Sequence, residues 1–175
     1  MIKTILVPTD GSGHANKAVT LAADIAEKYG ARLVLLHVMP RGPLPEALRH
    51  MAEIEHVGET GTPNIAGVTA SIPTAKIPTG TAPAGGDNER EILEFVGGKI
   101  LSAGVDIAKQ KGVADYETAL EDGNPVKRIL EYLDKEKANL IVMGSRGVTD
   151  LNGLLMGSVS HKISHLAKCT CITVK

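Results

Sequence analysis

An apolar run, Leu140-Ile141-Val142-Met143, stops at Gly144, and Gly147 follows three positions later. After nine intervening residues, Gly157-Ser158 opens a segment with helical periodicity. Glycine adopts φ > 0 without steric cost and lets backbone amides come close to another group. A helix N-terminus carries free N–H groups and the positive end of a dipole, which suit an anion. A strand, a glycine loop and a helix N-terminus in that order make a phosphate cradle. Gly-x2-Gly alone carries little weight in a chain with 19 glycines among 175 residues. Gly-x2-Gly-x9-Gly-Ser, set between a strand and a helix, is far more restrictive.

The rest of the chain supplies the frame for such a cradle. Ile2 to Val7 is short, apolar and β-branched, and Pro8 stops it, so it reads as a buried strand. Thr9-Asp10-Gly11-Ser12-Gly13 is turn chemistry, with Ser12 placed to cap a helix. From Ala15 to Tyr29 apolar residues recur at helical spacing on one face (Ala18, Val19, Ala22, Ile25, Ala26), and Gly30 follows as a stop. Arg32 to Val38 reads as a second strand, apolar on both faces. Strand, helix, strand at this spacing is a βαβ unit with parallel strands.

Helical spacing returns from Asn88 to Lys111 through Ile92, Val96, Ile100, Ala103 and Ile107, with Gly97-Gly98 weakening its middle. Val113 to Leu120 alternates with polar residues and fits an edge strand with one wet face. Asn124-Pro125 opens a helix through Val126, Ile129, Leu130 and Leu133. Asn139 to Met143 is the strand feeding the glycine loop, Ser158 to Lys168 the last helix, and Cys169 to Val174 a closing strand. The pattern predicts five strands alternating with four helices in one domain spanning 1–175. Residues 40–87 stand apart, holding seven of the nine prolines and seven glycines. There Leu44 to Val57 has room for a short helix and Gly58 to Gly86 reads as a long loop, so the segment is expected to be a surface insertion.

Composition closes off several classes. Net charge is −1, from 19 basic and 20 acidic residues, which gives no general affinity for nucleic acid or an anionic membrane. Three tyrosines, one phenylalanine and no tryptophan leave no stacking platform for single-stranded nucleic acid. No apolar run reaches the length of a membrane span, and the start enters a strand without a signal peptide. Cys169 and Cys171 sit too close for an easy bridge, which points to a reducing compartment, the cytoplasm by default.

Among phosphate-binding motifs, a Walker A loop is missing, and Gly11-Ser12-Gly13 supplies only two of the three glycines of a dinucleotide fingerprint. The remaining reading places phosphates at the exit of the fourth strand, beside the first strand's loop. Here the sequence resembles the universal stress protein family, ATP-binding type. Gly-x2-Gly-x9-Gly-Ser matches that family's nucleotide motif, and Pro8-Thr9-Asp10-Gly11-Ser12 its N-terminal one. The resemblance covers all but roughly residues 40–87. It implies an α/β fold, Rossmann-like and of the adenine nucleotide alpha hydrolase-like kind: a five-stranded parallel sheet of order 3-2-1-4-5 with helices on both faces.

The resemblance also implies roles for individual residues. Pro8, Thr9 and Asp10 would line the nucleoside side, the Asp10 carboxylate near the ribose hydroxyls. The Val38 backbone would meet the adenine edge. Met143, Gly144, Arg146 and Gly147 would approach ribose and phosphates. Gly157, Ser158 and Val159 would offer N–H groups, with the Ser158 hydroxyl, to the β- and γ-phosphates. Ala15 departs from the pattern, since many relatives carry serine there.

The expected function is therefore an ATP-binding stress-response regulator, with Mg²⁺ held mainly through phosphates and water. No nucleophile–base pair or carboxylate dyad stands out, so dedicated catalysis is not expected and ATP hydrolysis would be slow at most. A slow ATPase or nucleotidyl-transferring enzyme on the same fold, and a scaffold that binds no nucleotide, are the alternatives. His161 and His165, four apart on a helix, lack a third ligand and read as a surface or packed pair. Cys169 and Cys171 read as small hydrophobes rather than redox groups. The closing strand would lie at a sheet edge without proline or inward charge, so residues 169–174 are expected to pair two copies into a homodimer.

Overall fold

The computed structural model of the protein describes residues 1–39, 88–148 and 156–175. The short helix and long loop expected within 40–87 lie outside the described residues. In chain order the elements are β1 (Thr4–Pro8), α1 (Gly13–Tyr29), β2 (Arg32–Met39), α2 (Asn88–Gln110), β3 (Tyr116–Asp122), α3 (Pro125–Lys135), β4 (Leu140–Gly144), α4 (Ser158–Leu166) and β5 (Thr170–Val174). The five strands form one parallel sheet of order β3-β2-β1-β4-β5, as expected.

A parallel sheet buries both faces, so its central strands must be apolar at odd and even positions alike. Ile5, Val7, Leu33, Leu35, Leu140 and Val142 turn toward α1 and α2, where they meet Ala18, Ala22, Leu101 and Val105. Leu6, Val34, Leu36, Ile141 and Met143 turn the other way, toward Ile129, Leu133 and Ile163. Alanines on the buried stripe of α1 let that helix lie close over β1 and β4. Ser12 caps α1 by accepting from the Ala15 N–H at 3.2 Å, and Asn124 caps α3 by accepting from the Lys127 N–H at 3.1 Å.

Boundaries differ from expectation in explicable ways. β1 runs to Pro8 rather than Val7, since alternation turns the position of the proline's missing N–H toward β4, whose pairing with β1 ends at Leu6↔Ile141. β3 begins at Tyr116 rather than Val113. The Val113 N–H donates to the Ala108 carbonyl around Gly112 at φ 82°, so Val113 belongs to the closing turn of α2. α4 ends at Leu166, two residues early, where Ala167 turns extended, and β5 starts at Thr170 rather than Cys169.

The paired glycines of α2 are not equivalent. A Cβ on Gly97 would come within 2.6 Å of Leu120 Cδ1 and 2.9 Å of His37 Cδ2, so this glycine lets the helix lie against β2 and β3. A Cβ on Gly98 would meet nothing within 4 Å. Gly98→Ala should therefore stabilise the protein by about 0.5–1 kcal/mol through helix propensity. Gly97→Ala should destabilise it by about 1–3 kcal/mol through overpacking. Urea denaturation of the two variants checks the opposite signs; equal shifts would mean that α2 does not press on the sheet at Gly97.

Candidate functional site

In an open parallel sheet, ligands bind at the carboxyl ends of the strands, where the strand order reverses. In this chain that point lies at β1, flanked by β2 and β4. The loop after β1 (9–12) and the loop after β4 (145–148) emerge side by side there.

Backbone direction decides what these ends offer. Thr9 N–H donates to the Leu36 carbonyl at 2.9 Å, so Leu36 turns its peptide groups toward β1. Alternation gives Val38 the same direction, but β1 pairs with β2 only as far as Pro8↔Leu36. The Val38 N–H and C=O thus face the crevice just past the end of β1. Pro8 and Val38 are half-buried, and Thr9 is buried. The Thr9 carbonyl accepts from His37 Nδ1 at 2.8 Å.

Asp10 spans the two loops. Its Oδ1 accepts from the Ser12 N–H at 3.0 Å, and its Oδ2 accepts from the Val148 N–H at 2.9 Å. Gly144 admits the start of α1, since a Cβ there would come within 2.8 Å of the Ala15 nitrogen and 2.9 Å of the His14 carbonyl carbon. Arg146 is half-buried, and its guanidinium makes no ion pair with the described residues; its carbonyl accepts from Ser12 Oγ at 3.4 Å. The Met143 side chain is buried in the core beneath, leaving only its backbone at the loop.

Ser145, which the motif reading passed over, ties the site together. Its N–H donates to the Val174 carbonyl at 2.7 Å. Its own carbonyl accepts from the Gly157 N–H at 2.7 Å and from Ser160 Oγ at 2.9 Å. Its hydroxyl lies 2.9 Å from His14 Nδ1. These bonds fix the start of α4 against the glycine loop. They also engage the Gly157 N–H, one of the three amides expected to meet phosphate. Ser158 and Val159 remain: α4 has no side-chain cap, and their first-turn N–H groups have no acceptor among the described residues. A Ser directly after the motif's first glycine gives no pattern in a single sequence that would have marked this role.

Of the residues expected at the site, Pro8, Thr9, Asp10 and Val38 thus gather at the ends of β1 and β2. Met143, Gly144, Arg146 and Gly147 line the exit of β4, and Gly157, Ser158 and Val159 form the start of α4. His161 and His165 are exposed, their rings in edge contact at 4.7 Å, and no group of three metal-ligating side chains occurs among the described residues. Both cysteines are free and half-buried, and burial pushes both thiols up, as befits packing groups. No helix among the described residues is long and apolar enough to cross a membrane.

The family model for the universal stress protein family matches residues 1–175. The chain is 30% identical over 175 residues to universal stress protein YxiE of Bacillus subtilis, with all of both chains covered. Among solved structures it is similar to the Archaeoglobus fulgidus universal stress protein in complex with dAMP, at 19% identity and TM-score 0.59, covering 100% of this chain and 98% of that one. It is likewise similar to a universal stress protein in complex with cAMP, at 24% identity and TM-score 0.58, covering 99% and 96%. The chain belongs to the universal stress protein family.

His37 is the titratable group buried closest to the site, 4% exposed on β2 under Gly97. Burial pushes its pKa down, against the Thr9 carbonyl bond and the Asp10 charge, which pull it up. Nδ1–H serves Thr9, so a second proton would sit on Nε2, on the side facing Gly97. Unfolded histidine titrates near about 6.5 and the folded group below that, so the unfolded chain takes up the proton first. Stability should fall as pH drops from neutral through that window and level off below the folded value. His37→Gln should flatten the fall, read from urea midpoints between pH 7.5 and pH 5; an unchanged slope would assign the pH dependence to other groups.

Proposed function

We propose that this chain binds an adenine nucleotide at the β1/β4 crevice and acts as a stress-response regulator whose occupancy alters conformation or partner affinity. The observation that carries the reading is the set of open backbone groups around one crevice. The Ser158 and Val159 N–H groups at the uncapped start of α4 suit phosphate, and the Val38 N–H and C=O suit the edge of a base. The adenine nucleotides bound by the two similar structures support the base, and the family supports the stress-response role. ATP is the nucleotide we favour, because the uncapped helix start follows the glycine loop and gives a chain of phosphates room for several amide contacts. Mg²⁺ would then be held mainly through phosphates and water.

Dedicated catalysis is not part of this reading. The His14–Ser145 contact is the Ser–His pair at the site, but Ser145 is 3% exposed and its hydroxyl turns inward to the frame. Hydrolysis of ATP, if measured, should be slow. Ser158→Pro is the sharpest test of the phosphate contact. Proline at the first helical position keeps the helix, and Gly157 is already extended at ψ 156°, as a residue before proline must be. The variant removes one candidate amide and the hydroxyl. It should fold normally and bind ATP at least about ten-fold more weakly by calorimetry, from loss of a charge-assisted bond. Equal affinity in wild type and variant would move the phosphates away from α4.

We also propose a homodimer through β5. The Ser145-to-Val174 bond shows that Val174, and by alternation Ile172 and Thr170, turn their peptide groups to β4. Cys171 and Thr173 therefore direct theirs to the open edge, which carries neither proline nor inward charge. Two copies meeting antiparallel about a two-fold axis satisfy those groups reciprocally. Thr173→Pro removes an outward donor while sparing the β4 pairing, so it should shift the protein to monomer in sedimentation velocity at micromolar concentration. A wild-type monomer, or a dimer indifferent to Thr173→Pro, would exclude this edge.

A further inference from the structure

Glycine loops beside phosphates are ordinarily explained by close approach of the ligand to the backbone. The second glycine of this loop has another cause. A Cβ built on Gly147 would overlap Asp10 Oδ2, and among the described residues the Asp10 carboxyl group is all that it would meet. The φ of Gly147 is not in the left-handed region, so alanine is allowed by the backbone there. What excludes a side chain at position 147 is therefore one carboxylate. That carboxylate is committed on both oxygens, to Ser12 N–H at 3.0 Å in its own loop and to Val148 N–H at 2.9 Å in the other.

We propose that Asp10 is the positioning residue of the glycine loop and that Gly147 is glycine in order to admit its carboxylate, so that the two act as one clasp. A carboxylate accepting two backbone N–H groups makes strong, charge-assisted bonds. Each bond leaves from a different loop, so together they fix the loop after β4 against the loop after β1. Val148 lies one residue beyond Gly147, so the clasp sets the path of the chain as it leaves the loop. Arg146, whose carbonyl receives Ser12 Oγ at 3.4 Å, is held from the same side. The affinity consequences rest on the nucleotide reading above; the clasp itself does not.

A double-mutant cycle of Asp10→Ala, Gly147→Ala and the double variant tests it in two independent arms. In urea denaturation, Gly147→Ala should lower the folding equilibrium constant at least about ten-fold in wild type and leave it within about two-fold in the Asp10→Ala background, as expected of residues in direct contact. Equal losses in both backgrounds would overturn the clasp. In the second arm, ATP affinity by calorimetry should fall with Gly147→Ala in wild type, and the double variant should bind no more weakly than Asp10→Ala alone. A glycine needed for phosphate approach would instead cost the same factor in both backgrounds, and that result would also overturn the proposal. Should the Gly147→Ala variant not fold, hydrogen exchange decides. The Val148 amide should exchange at least about ten-fold faster in Asp10→Ala, which leaves it no side-chain acceptor at position 10, and an unchanged rate would refute the clasp. Absence of ATP binding in wild type would sink the nucleotide reading while the stability and exchange arms still judged the clasp.

Discussion

Everything in this molecule follows from the drying of both faces of β1, β2 and β4. A backbone buried on two sides must satisfy its peptide groups within the sheet, and a right-handed crossover to each next strand must then bring a helix over one face. With β1 in the middle, the chain winds first toward β2 and β3 and later toward β4 and β5. Two loops are thereby forced to emerge as neighbours, although some 135 residues of sequence separate them: the Asp10-to-Val148 bond spans 138 positions. The site is a by-product of the winding. Its chemistry is added by what the loop residues do with their backbone groups.

That division explains what could be read from the sequence. Ile5, Leu6, Val7 and Leu140 to Met143 announce buried parallel strands because no position in them is polar. Ser12, Gly30, Asn124 and Pro125 mark helix ends through local chemistry that needs no tertiary context. Val113 misleads because it is as apolar and β-branched as a strand residue. Its N–H is nevertheless claimed by Ala108 in the closing turn of α2, and that choice depends on Gly112, whose partner conformation a pattern of apolar residues does not register. Gly97 and Gly98 look alike in sequence for a related reason: only the crossing of α2 over His37 and Leu120 distinguishes them.

The residues of the site divide in the same way. Gly144, Gly147, Gly157 and Ser158 stand out by spacing, and the fold does gather them with Asp10 and Val38. What spacing could not convey is which donors are spent internally. Gly144 is small because α1 presses on it, and the Gly157 amide is used by Ser145. Ser145 and His37 escaped notice because each acts through a backbone partner, Gly157 or Thr9, that comes near only in three dimensions. A motif read as a list of ligand contacts therefore mixes two populations: groups that hold the loop and groups left over for something else.

The leftover groups point to an order of assembly at the crevice. Ser145 holds the start of α4, pairing of β2 with β3 holds Val38, and Asp10 accepts from the Val148 N–H at the end of the glycine loop, all with the chain's own partners. Open donors then remain in two places, at the α4 start and at the Val38 edge, on either side of the two loops. A ligand suited to both must be anionic at one end and present a hydrogen-bonding edge at the other, which neither inorganic phosphate nor a free base does. Because these donors are backbone groups fixed before any ligand arrives, little conformational entropy remains to be lost at them on binding. The Asp10 carboxylate differs, since both its oxygens already accept N–H groups. A hydroxyl approaching it must use the remaining lone pairs, so the proposed clasp would also restrict how the sugar of the proposed nucleotide meets Asp10.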